Sequence, residues 1–213
     1  MVTVEVDPVR VESRLAAGEI GYPRCGDGVL TGWGHARSRW IDGLADSLRP
    51  RRARCRSCRA THVLLPVTVL LRRAYAAERI WAALTARSNG EGHRRIGVSL
   101  GVPAATVRGW LRRAAQRLEA MRALFLTVAV TAGVDVRIPD TFGCAWRDAL
   151  AAVATATAAI RFRFGAAGLG GAVTPARVAA AASSGRLLAP GWPGLPDRGD
   201  ATPVAPAAAH DDR

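Results

Sequence analysis

Lysine is absent from this chain: all 30 basic residues are arginine, against 17 acidic ones, giving a net charge of +13 over 213 residues. Cysteine is scarce as well, at four residues, which excludes a small disulfide-stapled scaffold. Long apolar runs are missing. Uncharged stretches such as 123–134 and 149–160 span 12 residues each, short of the ~20 that a membrane helix needs. No transmembrane segment is expected. The opening residues, including Val4, Glu5, Val6 and Asp7, lack the basic start and apolar run of a secretory leader, so a cytoplasmic protein is expected. In that compartment thiols stay reduced and favour metal binding over disulfide pairing. Glutamate is absent after Glu119, and no P-loop, HExxH or Ser-His-Asp set occurs. Phosphoryl transfer by paired Mg2+ ions needs a cluster of carboxylates. Asp135, Asp140 and Asp148, with four aspartates near the C-terminus, do not supply one on a short Ala/Gly-rich segment. Capping and surface charge are the expected roles of Asp140 and Asp148, and a non-enzymatic protein is expected.

Hydrophobic residues make up 49% of the chain, enough for a core. The positive charge is unevenly spread. Residues 1–20 carry a net −2, residues 21–73 +8, residues 74–125 +6 and residues 126–213 only +1. A GC-rich coding bias alone would not spare the C-terminal part. A concentrated positive field suits a polyanion, because neutralising phosphates releases condensed counterions.

Val2 to Val6 alternate as a short strand, and Asp7-Pro8 open a helix that runs through Ala17 and stops at Gly18. From Tyr22 to His62 glycines, tryptophans and cysteines mark short β segments and turns. Pro66 to Arg87 has helical spacing, with Leu70, Leu71, Tyr75, Ile80, Trp81 and Leu84 on one stripe. Ser88-Asn89-Gly90 interrupts it. Helices follow over Arg94–Leu100 and from Ala104 to about Phe125, then a β-branched stretch from Thr127 to Pro139 that reads as a strand or a linker. Arg147 to Phe164 and Pro175 to Ser183 read as further helices. Cys144 reads as a small buried hydrophobe on an apolar helix. After Leu188 the Pro/Gly/Ala/Asp composition is that of a disordered tail. The expected fold is mainly α with a small β zinc-ribbon-like subdomain. Its divisions are an N-terminal helix and degenerate ribbon over 1–65, a helix-turn-helix over 66–125, an Ala-rich helical region over 126–188, and a tail over 189–213.

The strongest pattern lies between His93 and Arg113. Apolar residues at Ile96, Leu100, Val102, Val107 and Trp110 fall where two tightly crossing helices bury against each other. Gly97 is small at the crossing, Gly101 tolerates the positive φ of the turn, and Pro103 starts the second helix. That second helix is the one a helix-turn-helix lays in the major groove of DNA. Ala104, Ala105, Arg108 and Arg112 would face the duplex, with Arg108 suited to bidentate contact with guanine O6 and N7. Arg94, Arg95, Arg112 and Arg113, with Thr106, are placed for phosphates.

Cys55-Arg56-Ser57-Cys58 is a CxxC knuckle, able to clasp one Zn2+ in a tight turn. A ribbon needs a second knuckle roughly 15–40 residues upstream, where Tyr22-Pro23-Arg24-Cys25 stands with tyrosine in place of the first cysteine. Cys25, Cys55 and Cys58 are therefore three candidate ligands. The fourth is His62 or His35, or water completes a three-ligand site, or the ribbon has lost its metal. Tyrosine is a poor substitute, because its pKa of about 10 keeps the phenol protonated at neutral pH.

The segments Cys25-Gly26-Asp27-Gly28, Trp33-Gly34-His35-Ala36-Arg37, Cys55-Arg56-Ser57-Cys58, Thr61-His62-Val63-Leu64-Leu65-Pro66 and Thr106-Val107-Arg108-Gly109-Trp110-Leu111 resemble an actinobacterial family of uncharacterised proteins. Those proteins join an N-terminal zinc ribbon to a helix-turn-helix and are similar to the N-terminal regions of insertion-sequence transposases. The resemblance covers about residues 10–125. It implies binding to double-stranded DNA and zinc ligands at positions 22, 25, 55 and 58, the first of which is Tyr22 here. A homodimer is the expected form for paired half-sites. The alternatives are a DNA-recognition subunit of a mobile-element recombinase, and a ribbon that binds RNA or protein.

Overall fold

The computed structural model describes residues 1–22, 25–133, 136–168 and 170–193. The chain combines a four-stranded sheet with seven helices among those residues. In order they are β1 (Val2–Val4), α1 (Pro8–Ala17), β2 (Leu30–His35), β3 (Arg51–Cys55), β4 (Thr61–Pro66), α2 (Ala77–Ser88), α3 (His93–Leu100), α4 (Ala104–Ala115), α5 (Leu118–Ala132), α6 (Ala145–Phe164) and α7 (Pro175–Ala182).

The α1 helix forms where its cap signals place it. The Asp7 carboxylate accepts the Val9 N–H at 2.9 Å, Pro8 occupies the first turn, and the chain leaves the helix at Gly18. Val11 and Leu15, four residues apart, bury against the sheet together with Val4, Ile20, Leu30, Ala53, Cys55 and Leu64. The sheet order is β1-β4-β3-β2. The β2–β3–β4 meander is antiparallel, with Gly32 opposite Ala53 and Arg54 opposite Thr61, and β1 adds in parallel, Val2 opposite Leu64.

Residues 66–76 depart from the expected helix, which begins only at Ala77. Pro66 ends β4, and the Val67 N–H continues the sheet by donating to the Val4 carbonyl at 2.9 Å. Val69 bridges to Ala76, and Arg72 adopts a left-handed φ of 56°. Here the β-branched run Val67-Thr68-Val69 and the waiting edge of β1 prevail over apolar spacing. The second difference lies in 104–132. The single helix expected from Ala104 is broken after Ala115, where Arg117 takes φ −138° and its N–H closes on the Ala114 carbonyl. Beyond the break, α5 continues to Ala132, through the stretch that reads as strand or linker. Thr127 and Thr131 remain helical by donating their hydroxyls to the carbonyls of Ala123 and Thr127, and packing against the small-residue face of α6 outweighs their β preference. The boundary expected at 125/126 thus falls inside a helix.

Helices α2 to α7 share one apolar core with Val67, Leu70, Leu187, Leu188 and Trp192. Ala149, Ala152, Val153 and Ala156 present the small face that lets α6 lie close to α5. Ala189 and Trp192 are buried as well, so the ordered chain extends past Leu188, where a tail is expected to start; residues 194–213 lie outside the described residues. Cys144 is not within a helix. It is the half-buried N-cap of α6, and Asp148 in the first turn accepts the Phe142 N–H at 2.6 Å. Among the described residues no helix is long and apolar enough to cross a membrane.

Candidate nucleic-acid interface and thiol cluster

A three-residue turn joins α3 to α4. The Val102 N–H donates to the Gly97 carbonyl at 2.9 Å, and Gly101 takes φ 63°. A Cβ on Gly97 would stand 2.8 Å from the Val102 carbonyl oxygen and 3.2 Å from the Ala104 Cα, so the crossing accepts no side chain there. Ile96, Val102, Val107 and Trp110 are buried, and Leu100 is half-buried. Arg79 of α2 secures the junction by donating to the Leu100 carbonyl while its Nε meets the Asp42 carboxylate at 2.7 Å. Pro103 precedes the first turn of α4 with φ −51°.

One stripe of α4 (Val107, Trp110, Leu111 and Ala114) is buried. The opposite stripe carries Ala105, Arg108, Gly109 and Arg112, spaced i, i+3, i+4 and i+7, along a shallow groove open to solvent. Ala105, Arg108 and Arg112 are exposed; Ala104 is half-buried beside Gly97, and Thr106 is also half-buried. Arg94 and Arg95 are exposed on α3, the latter 3.6 Å from Glu91. Arg113 folds back to the Gly109 carbonyl at 2.9 Å. Among the described residues Arg94, Arg108, Arg112 and Arg113 have no carboxylate within ion-pair distance.

The sulfur atoms of Cys25, Cys55 and Cys58 lie within 4.8 Å of one another, and all three are free thiols. They converge because the β3–β4 turn carries Cys55 and Cys58 while the turn before β2 brings Cys25 beneath it. In that turn the Cys25 N–H donates to the Tyr22 carbonyl at 3.0 Å, and the Gly28 N–H donates to the Cys25 carbonyl at 2.7 Å. Cys55 is fully buried, Cys25 half-buried and Cys58 exposed. Burial pushes the Cys25 thiol up, and its neighbours Cys55 and Cys58 push it further. Burial is also the largest influence on Cys55 and raises it, but hydrogen bonds from Cys58, Ser57 and Cys25 outweigh it, so that thiol lies below its ordinary value. Three clustered thiols of this kind can hold a soft metal ion.

His62 and His35 stand outside this group. The His62 ring is buried on β4, 4.1 Å from the Tyr22 ring, with Nδ1 3.2 Å from the Met1 nitrogen and Nε2 without a hydrogen-bond partner among the described residues. Burial, then the positive Met1 nitrogen, holds it below the usual histidine value. His35 is exposed at the end of β2. Pro23 and Arg24 lie outside the described residues.

Sequence reasoning missed Arg73, Arg79 and Arg117, which meet the α3–α4 unit from outside it or from its far end. No local signal marks them, since their neighbours come from distant parts of the chain. Comparison with family models, with curated proteins and with solved structures finds no match to this chain.

Proposed function

We propose that the protein binds double-stranded DNA through α3 and α4 as a helix-turn-helix, in a regulatory or transposase-derived role. The observation that carries this reading is the solvent-facing stripe Ala105-Arg108-Arg112, basic, uncompensated by carboxylates among the described residues and borne on a helix anchored by its opposite side. An α-helix fits the roughly 12 Å major groove. Arg108 reads a guanine, while Arg112, Arg113, Arg94, Arg95 and Thr106 meet phosphates. The thiol cluster holds one Zn2+ through Cys25, Cys55 and Cys58, which ties the ribbon's two turns together and is structural in purpose. The test is affinity for duplex DNA across a salt series. Arg108→Ala should cost about 1–3 kcal/mol and relax preference at one base pair, and Arg112→Ala should flatten the salt dependence. Affinity that ignores salt, or that survives both substitutions together, overturns the reading.

A second reading has its own observation. Trp33 and Trp40 are 52% and 75% exposed on the β2–β3 hairpin, and the Arg54 guanidinium lies 4.6 Å from the Trp33 ring centre. Exposed aromatic rings among arginines suit unstacked bases. Binding of single-stranded RNA as tight as that of duplex DNA, lost in Trp33→Ala, would favour this ribbon-centred function.

A further inference from the structure

The flank of α4 carries a concentration of charge that the protein itself leaves unbalanced. Tyr75 packs edge-on against Trp110, ring centres 5.0 Å apart, and this contact brings the 70–76 segment onto the side of α4. Arg73 thereby lines the same groove as Thr106, Trp110, Arg112 and Arg113. Arg117, just past the end of α4, extends the cluster by reaching back to the Arg113 carbonyl.

None of the three guanidinium groups at its centre meets a carboxylate among the described residues. Each reaches only backbone: Arg73 the Leu188 carbonyl, Arg113 the Gly109 carbonyl at 2.9 Å, and Arg117 the Arg113 carbonyl at 3.5 Å. The Arg73 Nε is buried and has no hydrogen-bond partner among the described residues. Burial, then repulsion from Arg113 and Arg117, lowers the proton affinity of Arg73, and burial with Arg113 does the same to Arg117. Like charges drawn together at partial burial cost stability unless an anion joins them. The forked, planar donors of arginine match a phosphate group in particular.

We infer that Arg73, Arg113 and Arg117 form a seat for one backbone phosphate of bound DNA, beside the strip of α4 that faces the bases. This rests on the reading of α4 as a duplex-binding helix and adds a contact from outside the helix pair. Such a contact would fix how far α4 slides along the groove without itself reading sequence.

The experiment measures affinity for one duplex across a sodium chloride series in wild type, Arg73→Gln, Arg73→Lys and Arg117→Gln, each checked for native thermal melting. Releasing one phosphate contact should reduce the slope of log affinity against log salt by about 0.9 in Arg73→Gln and in Arg117→Gln. Arg73→Lys should keep the wild-type slope, because it keeps the charge. Unchanged slopes in both glutamine variants overturn the inference while leaving duplex binding intact. A reduced slope in Arg73→Lys as well assigns Arg73 a packing role and equally overturns it. A wild type that does not bind duplex DNA overturns the function proposed above and the backbone source with it. Titration with inorganic phosphate at constant ionic strength then separates a free-phosphate seat, which raises the melting temperature of wild type but not of Arg73→Gln, from no seat at all.

Discussion

Gly97 decides at residue scale whether α3 and α4 can meet. Its position leaves no room for a Cβ against the backbone at Val102 and Ala104. Gly97→Ala should destabilise the fold by about 1–3 kcal/mol, an overpacking cost, measured by urea denaturation, and should weaken duplex binding because the turn must shift. A wild-type midpoint in that variant would show that the crossing is loose. His62 gives a second residue-scale expectation. Its folded-state proton affinity is lowered, so the unfolded chain takes up the proton first as pH falls. The associated stability is complete above the ordinary histidine pKa and declines as pH drops through and below it. Replacing His62 with Asn should flatten the pH dependence of the melting temperature of metal-free protein over that window.

The thiol cluster joins two turns, and its behaviour depends on a position that each turn contributes. By motif spacing, Tyr22 holds the position from which a fourth thiolate would be expected to join Cys25, Cys55 and Cys58. The Cys25 N–H to Tyr22 carbonyl bond closes that turn without any help from the phenol. Tyr22→Cys should therefore retain zinc at chelator concentrations that strip wild type, as metal analysis after dialysis will show. Equal retention would mean that a fourth ligand already serves. The motif spacing made the three cysteines readable in advance. It could not reveal that His62 is engaged by Tyr22 and the Met1 nitrogen instead of the thiol group, because ring orientation depends on contacts across the sheet.

At the scale of the whole molecule, one apolar core runs from Val67 to Trp192. The C-terminal segment is part of it: the Leu71 N–H donates to the Gly185 carbonyl at 2.8 Å, and Leu187 and Leu188 are buried. Leu188→Ala should cost about 2–5 kcal/mol and lower a single cooperative unfolding transition seen by both tryptophan fluorescence and circular dichroism. Two separate transitions would indicate that α7 and the segment after it unfold independently of the α2–α5 helices. Duplex affinity in that variant should fall with the folded fraction alone, since Leu188 accepts the Arg73 guanidinium on its backbone carbonyl, which the substitution keeps.

Much of the α3–α4 unit and of the first helix was legible because the deciding forces are local. Caps, a left-handed turn residue and an i, i+4 apolar stripe act within one or two turns, so Asp7, Gly101 and the Val107-Trp110 stripe announce themselves in the chain. The 66–76 segment and the continuation of α5 past Thr127 were not legible. There local preference was weak, and distant partners (the β1 edge in one case, the alanine face of α6 in the other) supplied the larger free energy. The convergence of Arg73 with Arg113 and Arg117 is of the same kind, since repulsive charges 40 and 44 residues apart in the chain meet only where Tyr75 and Trp110 pack. The amino-acid order by itself determined the composition of the exposed basic stripe, the thiol spacing and the starts of α1, α4 and α7, all short-range in origin. Which side chains share a surface was decided only by the tertiary structure, because burial of apolar area joins segments without regard to their separation along the chain.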